Sequence, residues 1–324
     1  MQRFKVVTLL TVATSLFVPA ALAQNTNSAR PGTINYVEGQ ATLNGQELTS
    51  QSAGRSEIAP NQTLSTTNGK VEVLLTPGVF LRIGDNSSVT MISPDLARTE
   101  VQLDRGTAEV EVDQIYKEND LLVDQGPAQA KLLKFGLYEF NATAGSIRVF
   151  DGEAAVSPSQ TSRKWINVKS HHQFAVNGEP TKPEDFNAEL AADQDQLYDW
   201  GKLRADYLGQ ANLNLAEEYA GSPSFYPGWF WDAGMYGYTW LPGDGLFWDP
   251  YGFGFYSPWY LYGGGYIYGG YGFRGGYYHG GYGYRGGGGF YNSPHAATFG
   301  PGPAHLGGGV AGGGGFGGGG HGGR

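Results

Sequence analysis

The side chains that could do chemistry in this chain are carboxylates, histidines and tryptophans. Glu109, Glu111 and Asp113 recur at every second position around Ala108, Val110 and Val112. A pair of carboxylates is the machinery of glycoside hydrolysis, one as acid and the other as base or nucleophile. Strict alternation with apolar residues makes them instead the water-facing side of a half-buried strand. His171-His172 would be a metal pair only if both rings reached one ion, and neighbours in a strand point to opposite faces. His279, His295, His305 and His321 are isolated in glycine, where loose zinc or copper binding is the most they offer. The chain has no cysteine and no Gly-x-Ser-x-Gly nucleophile elbow. No residue is therefore assigned to catalysis, to a cofactor or to a metal, and the expectation is a protein that is not an enzyme.

Tryptophan offers a different chemistry. Trp229, Trp231, Trp240, Trp248 and Trp259 lie within one short stretch. Exposed together they would form a platform for sugar rings or another protein, since indole gives large contact area with a polar handle. Buried, they would be an ordinary small core. Arg274-Gly275-Gly276 and Arg285-Gly286-Gly287 mimic the arginine-glycine boxes of RNA-binding tails. Two arginines in a neutral stretch are too few for that work.

The elements that must position these residues begin with short alternating runs. Val71, Val73 and Leu75, then Val79, Leu81 and Ile83, fall at strand spacing. Asn44-Gly45, Asn68-Gly69 and Asp151-Gly152 sit between such runs, and dipeptides of this type are hairpin signals. The pattern predicts a mainly β fold over 33–180, an antiparallel sandwich-like roll, with a short β-solenoid as the alternative. Past Pro183 the spacing changes: Phe186, Leu190, Leu197, Trp200, Leu203, Tyr207, Ala211 and Leu215 recur at helical steps. An amphipathic helix or helix pair over 181–220 follows, with Thr181 and Glu184 able to form a capping box. Gly201 and Gly209 mark a kink or break, and the apolar stripe covers the β-domain.

From Gly221 onward the chain holds 38 of its 53 glycines and 15 of its 21 tyrosines, so it cannot be a conventional amphipathic domain. An aromatic-rich segment spans 221–262, with a faint repeat in which Phe230-Trp231-Asp232 and Tyr236-Gly237-Tyr238 match Phe247-Trp248-Asp249 and Tyr251-Gly252-Phe253. Residues 263–324 are nearly pure glycine with Tyr, Phe and His, a composition that buries too little to offset chain entropy and predicts disorder.

Arg3 and Lys5 precede an apolar run broken at Pro19 that ends Ala21-Leu22-Ala23. This predicts a cleaved signal peptide over 1–23 and a polar leader over 24–32. Export to the periplasm, the cell surface or the medium follows, with no transmembrane segment after cleavage. With 30 acidic against 21 basic residues, the whole chain carries a net charge of -9. That excess argues against nucleic acid as a partner.

Three stretches resemble the periplasmic domain of the ferric-citrate regulator (FecR) family: Thr66-Thr67-Asn68-Gly69-Lys70-Val71-Glu72-Val73, then Val101 to Val112 through Asp104-Arg105-Gly106, then Ile147 to Val156 through Asp151-Gly152. The resemblance covers roughly residues 57–156 and implies a scaffold in a bacterial envelope. Family members that regulate sigma factors carry a cytosolic sigma-binding region and a spanning helix, which the signal peptide here replaces. Anti-sigma activity is therefore not implied. A departure lies at Phe135-Gly136-Leu137-Tyr138-Glu139-Phe140, where the family pattern has Gly-Thr. The expected function is a non-enzymatic binding or scaffold protein that contacts an envelope protein or polysaccharide. The alternative is a wall or matrix protein that self-associates through its glycine-tyrosine tail.

Overall fold

The computed structural model describes residues 29–159, 161–176 and 182–263. The expected signal peptide, Thr181 of the proposed capping box, the tail histidines, the two arginine-glycine boxes and the glycine-rich tail beyond 263 lie outside the described residues. Fifteen strands form one sheet: β1 (Thr33–Leu43), β2 (Gln46–Leu48), β3 (Thr63–Leu74), β4 (Val79–Ile83), β5 (Ser88–Asp95), β6 (Arg98–Arg105), β7 (Thr107–Val112), β8 (Asp120–Gln125), β9 (Ala128–Leu132), β10 (Gly136–Asn141), β11 (Ser146–Asp151), β12 (Glu153–Ser157), β13 (Ile166–Lys169), β14 (His172–Ala175) and β15 (Glu184–Asp185). Every ladder is antiparallel except β6 with β8.

The pairing shows how one sheet makes two layers. The first half of β1 pairs with the second half of β3, and the second half of β1 with the first half of β3. One layer then continues β4, β7, β10, β11, β14, β15, and the other β5, β6, β8, β9, β12, β13. The pairs β6–β7 and β11–β12 are each a single bent strand, contributing one half to each layer. This is the sandwich-like roll that the alternation predicts.

The bends fall at the glycines that looked like hairpin turns. Asn44-Gly45 is a true hairpin, with both φ angles positive (49° and 80°). Asn68-Gly69 and Asp151-Gly152 are not. Asn68 and Gly69 lie inside β3, and β11 and β12 pair with different neighbours. The same tolerance of tight backbone geometry that closes a hairpin here lets a strand change layers. At the first corner Gly39 faces Gly69, and a Cβ on Gly39 would stand 2.2 Å from the Asn68 carbonyl oxygen. Only glycine lets the two backbones cross there.

Between the layers lies a dry core that runs the length of the roll, including Ile34, Leu64, Val73, Leu81, Val110, Val123, Phe140, Val149 and Phe174. Burying such side chains stabilises by about 1.5–3 kcal/mol each against exposure.

Outside the first layer the chain adds α1 (Ala188–Asp193) and α2 (Gln196–Glu218), capped by the side chains of Asn187 and Asp195. Helix therefore starts later than Pro183, because Glu184 and Asp185 are drawn into β15 beside β14. The break falls at Asp193–Gln196, and α2 runs unbroken through Gly201 and Gly209. The buried face of α2 is Leu197, Trp200, Gly201, Arg204, Ala205, Leu208, Gly209, Ala211, Asn212, Leu215 and Ala216. Leu203, Tyr207 and the α1 residue Leu190 are exposed. Small residues turn inward because the helix lies close on the sheet; at Gly201 a Cβ would meet Glu109 Oε1 and the Tyr251 hydroxyl at 2.5 Å.

The aromatic segment is folded. Its two repeat copies are two hairpins, β16 (Gly228–Asp232) with β17 (Gly237–Leu241) and β18 (Leu246–Trp248) with β19 (Gly254–Tyr256), followed by α3 (Pro258–Tyr262). The repeated aspartates close the turns: Met235 N donates to Asp232 Oδ1, and Tyr251 N and Phe253 N donate to Asp249 Oδ1 at 2.9 and 2.8 Å. Tyr238, Trp240 and Phe255 pack with Leu208 of α2 on Leu74 and Phe80 of the sheet, forming a second core. Asn212 joins both hairpins to α2, donating to the Trp240 carbonyl at 2.8 Å and accepting from Tyr256 N at 2.7 Å.

Candidate functional site

One cross-strand rank of the outer face of the first layer carries most of its charge. Following the registers from β1 to β15, the directly opposed residues are Tyr36, Glu72, Arg82, Glu109, Glu139, Arg148, Gln173 and Glu184. Opposite charges directly across a ladder attract, and like charges such as Glu109 beside Glu139 repel. Because side chains alternate, these residues share the face opposite to the dry core.

The Glu72–Glu109 end is covered. Arg82 is fully buried, and its Nε donates to Glu72 Oε2 at 3.1 Å while Nη1 donates to Glu111 Oε2 at 2.5 Å and Glu109 Oε1 at 3.4 Å. Arg204 of α2 donates to Glu72 Oε1 at 2.9 Å, as does Asn35 at 2.9 Å. The Tyr251 hydroxyl of the second hairpin donates to Glu109. Arg204 also lies over the Tyr36 ring at 4.1 Å. Glu109, Glu111 and Asp113 are thus buried, which corrects the reading of β7 as half wet. The sequence pattern was right about alternation, but the second face is covered by the chain's own helix and hairpins.

Five buried carboxyls, Glu72, Glu109, Glu111, Asp113 and Asp249, face two guanidinium groups, Arg82 and Arg204. Burial pushes Glu109 up to about 8 against the pull of Arg82. Burial likewise pushes Glu111 to about 7, with Arg82 opposing it and Asp249 adding to it. Asp113 is raised well above the ordinary range by burial and then by Glu111, and among the described residues neither of its oxygens has a hydrogen-bond donor. A proton on Asp113 resolves that deficit, since the acid form can share it with Glu111. Burial also works to raise Glu72, but Arg204 and Arg82 outweigh it and hold its carboxyl low. The cluster ties sheet, helix and hairpin together and is buried from solvent.

The other end of the rank is open. Glu139, Arg148 and Gln173 form part of the floor of a cleft of about 480 Å³, and Phe186, Asn187, Leu190 and Gln194, in and flanking α1, form a wall. Arg148 Nη1 lies 3.3 Å from Glu139 Oε2, its Nε donates to Gln173 Oε1 at 3.2 Å, and its guanidinium stands 5.6 Å from the Phe186 ring centroid. Phe186 is held edge-on against Phe150 at 5.2 Å. Burial raises the Glu139 carboxyl, with Arg148 opposing.

The residues singled out in the sequence are dispersed. Trp240 is buried; Trp229 is part-buried and edge-on to Phe80 at 5.1 Å. Trp231, Trp248 and Trp259 are exposed, Trp248 most at 56%. The tryptophans therefore divide between the second core and the surface. His171 is in a turn with φ 63°, while His172 in β14 meets Asp185 through Nε2 at 3.1 Å. Among the described residues no cluster of three or more His, Cys, Asp or Glu is disposed to hold a metal, and no helix is long and apolar enough to cross a membrane. Reading the sequence missed Arg82, Arg148, Gln173 and Arg204. The available signal was an arginine inside the otherwise apolar Val79–Ile83 run and another inside the helical stripe.

No family model matches the chain, and no curated protein matches it. Among solved structures it is similar to two crystal structures, each described as a candidate anti-sigma factor from Parabacteroides distasonis. The first is 17% identical with a TM-score of 0.34, over 40% of this chain and 62% of that one. The second is 16% identical with a TM-score of 0.35, over 41% of this chain and 65% of that one. This chain thus spans less than two thirds of the length of either.

Proposed function

We propose that the chain is a non-enzymatic, FecR-like binding or scaffold protein, exported to the bacterial cell envelope, that contacts an envelope protein or glycan through the cleft beside β11 and β14. The observation that carries this reading is the division of the polar rank. Its carboxylates with acid-base potential are enclosed around Arg82, while its open end presents the Gln173 amide and the Arg148 guanidinium beside Phe186. A small set of placed polar groups in a concave site is what ligand binding needs. The signal-like amino terminus and the three glycine-centred stretches support an envelope address.

Affinity capture from solubilised envelope fractions tests the proposal. The full chain is expected to retain envelope material that a Gln173→Ala/Gln194→Ala double variant does not. Equal retention by both, at unchanged melting temperature, would remove the cleft from the function.

A further inference from the structure

We propose that this cleft holds a neutral oligosaccharide segment, a proposal that rests on the binding reading above and names its ligand. Four observations point that way. First, four side-chain oxygens of the cleft each already accept a hydrogen bond from within the protein. Gln173 Oε1 takes Arg148 Nε, Asn187 Oδ1 takes Leu190 N, Asn141 Oδ1 takes Ala144 N and Asp195 Oδ1 takes Leu197 N. Gln173, Asn187, Gln194 and Arg148 line the same space, and the amides and the guanidinium carry more N–H groups than those contacts use. Amide and guanidinium N–H groups suit a ligand rich in hydroxyl, ring and glycosidic oxygens.

Second, the charged groups of the lining disfavour an anion. Arg148 is opposed by Glu139 at 3.3 Å, and Asp195 adds a second carboxylate to the same lining, so one cationic group faces two carboxyls. Third, Phe186 and the exposed Leu190 supply an apolar wall beside those donors, as the C–H face of a sugar ring requires. Fourth, much of the cleft floor is the face of a sheet, made of side chains from β7, β10, β11 and β14. An extended peptide seeks the backbone groups of a sheet edge instead. The volume of about 480 Å³ falls within the ~300–1,000 Å³ of small-ligand sites.

Calorimetric titration of the full chain with cellotetraose, maltotetraose and trigalacturonate tests this. At least one neutral tetrasaccharide is expected to bind, and Gln173→Ala and Gln194→Ala are each expected to weaken it about threefold to tenfold, the worth of one hydrogen bond. Trigalacturonate is expected not to bind. Unchanged melting temperatures separate lost contacts from lost folding. The proposal is overturned if no neutral tetrasaccharide binds, if binding ignores both variants, or if the uronate binds as well as the neutral sugars. Should the sugars fail while envelope capture still depends on Gln173 and Gln194, the cleft takes a protein and only the ligand class is wrong. If neither depends on them, the binding reading falls too.

Discussion

At the residue scale the decisive group is Arg82, the buried hub of Glu72, Glu109 and Glu111. Removing it as Arg82→Met takes one of two cations from the buried Glu72 carboxylate and the shared donor from Glu109 and Glu111, and a loss of about 3–5 kcal/mol is expected in denaturant unfolding. The same cluster sets a pH dependence. Glu109 titrates near 8 and Glu111 near 7 in the folded chain, against 4.5 for an ordinary glutamate. The folded state therefore keeps protons that the unfolded chain releases between about pH 4.5 and 8, so stability is full below that window and falls as pH rises through it. Glu72 runs the other way: its depressed carboxyl loses its contribution only as pH falls below the ordinary range. Thermal unfolding at pH 5.5 and 8.5 should show the higher melting temperature at pH 5.5, and Glu109→Gln should shrink the difference. A flat profile in the parent chain would contradict the buried network. None of this was legible in the alternation around β7, because a strand covered on both faces by different partners has the same period as a half-wet one.

At the element scale the helix was legible as a stripe but not in its rotation. Leu197, Trp200, Ala211 and Leu215 are buried as read, whereas Leu203 and Tyr207 are exposed. Hydrophobicity alone could not show that Arg204 and Asn212 would find partners under the helix. The two glycines of α2 give opposed predictions. Alanine is favoured over glycine in a helix by about 1 kcal/mol, yet at Gly201 the new Cβ would stand 2.5 Å from Glu109 Oε1 and from the Tyr251 hydroxyl. Gly201→Ala should lower the melting temperature. Gly209→Ala, whose Cβ would come no nearer than 3.4 Å to the Gly254 carbonyl oxygen, should leave it unchanged or raise it. A Leu197→Asp change places a charge on the buried face and should cost several kcal/mol. The glycine-centred stretches were legible as bends in a β fold, but whether a bend reverses a strand or carries it to the other layer depends on pairing partners far along the chain.

At the scale of the whole molecule, composition separated residues 221–262 from the β-domain while packing unites them. Trp240 and Phe255 lie against Phe80, Leu74 and Leu208, so the roll and α2 do not complete their own outer core. A chain ended after Ala220 should expose Phe80 and Leu208, bind a hydrophobic dye and unfold with reduced cooperativity. On the function proposed above, one polar rank is divided into an enclosed half that holds the fold and an open half that binds. Retention of solubilised envelope material by the immobilised full chain tests this, measured side by side for Glu109→Gln and for Gln173→Ala/Gln194→Ala. The division predicts that Glu109→Gln retains as the parent does and that the cleft variant loses most retention with its melting temperature intact. Loss in Glu109→Gln with full retention in the cleft variant would contradict it.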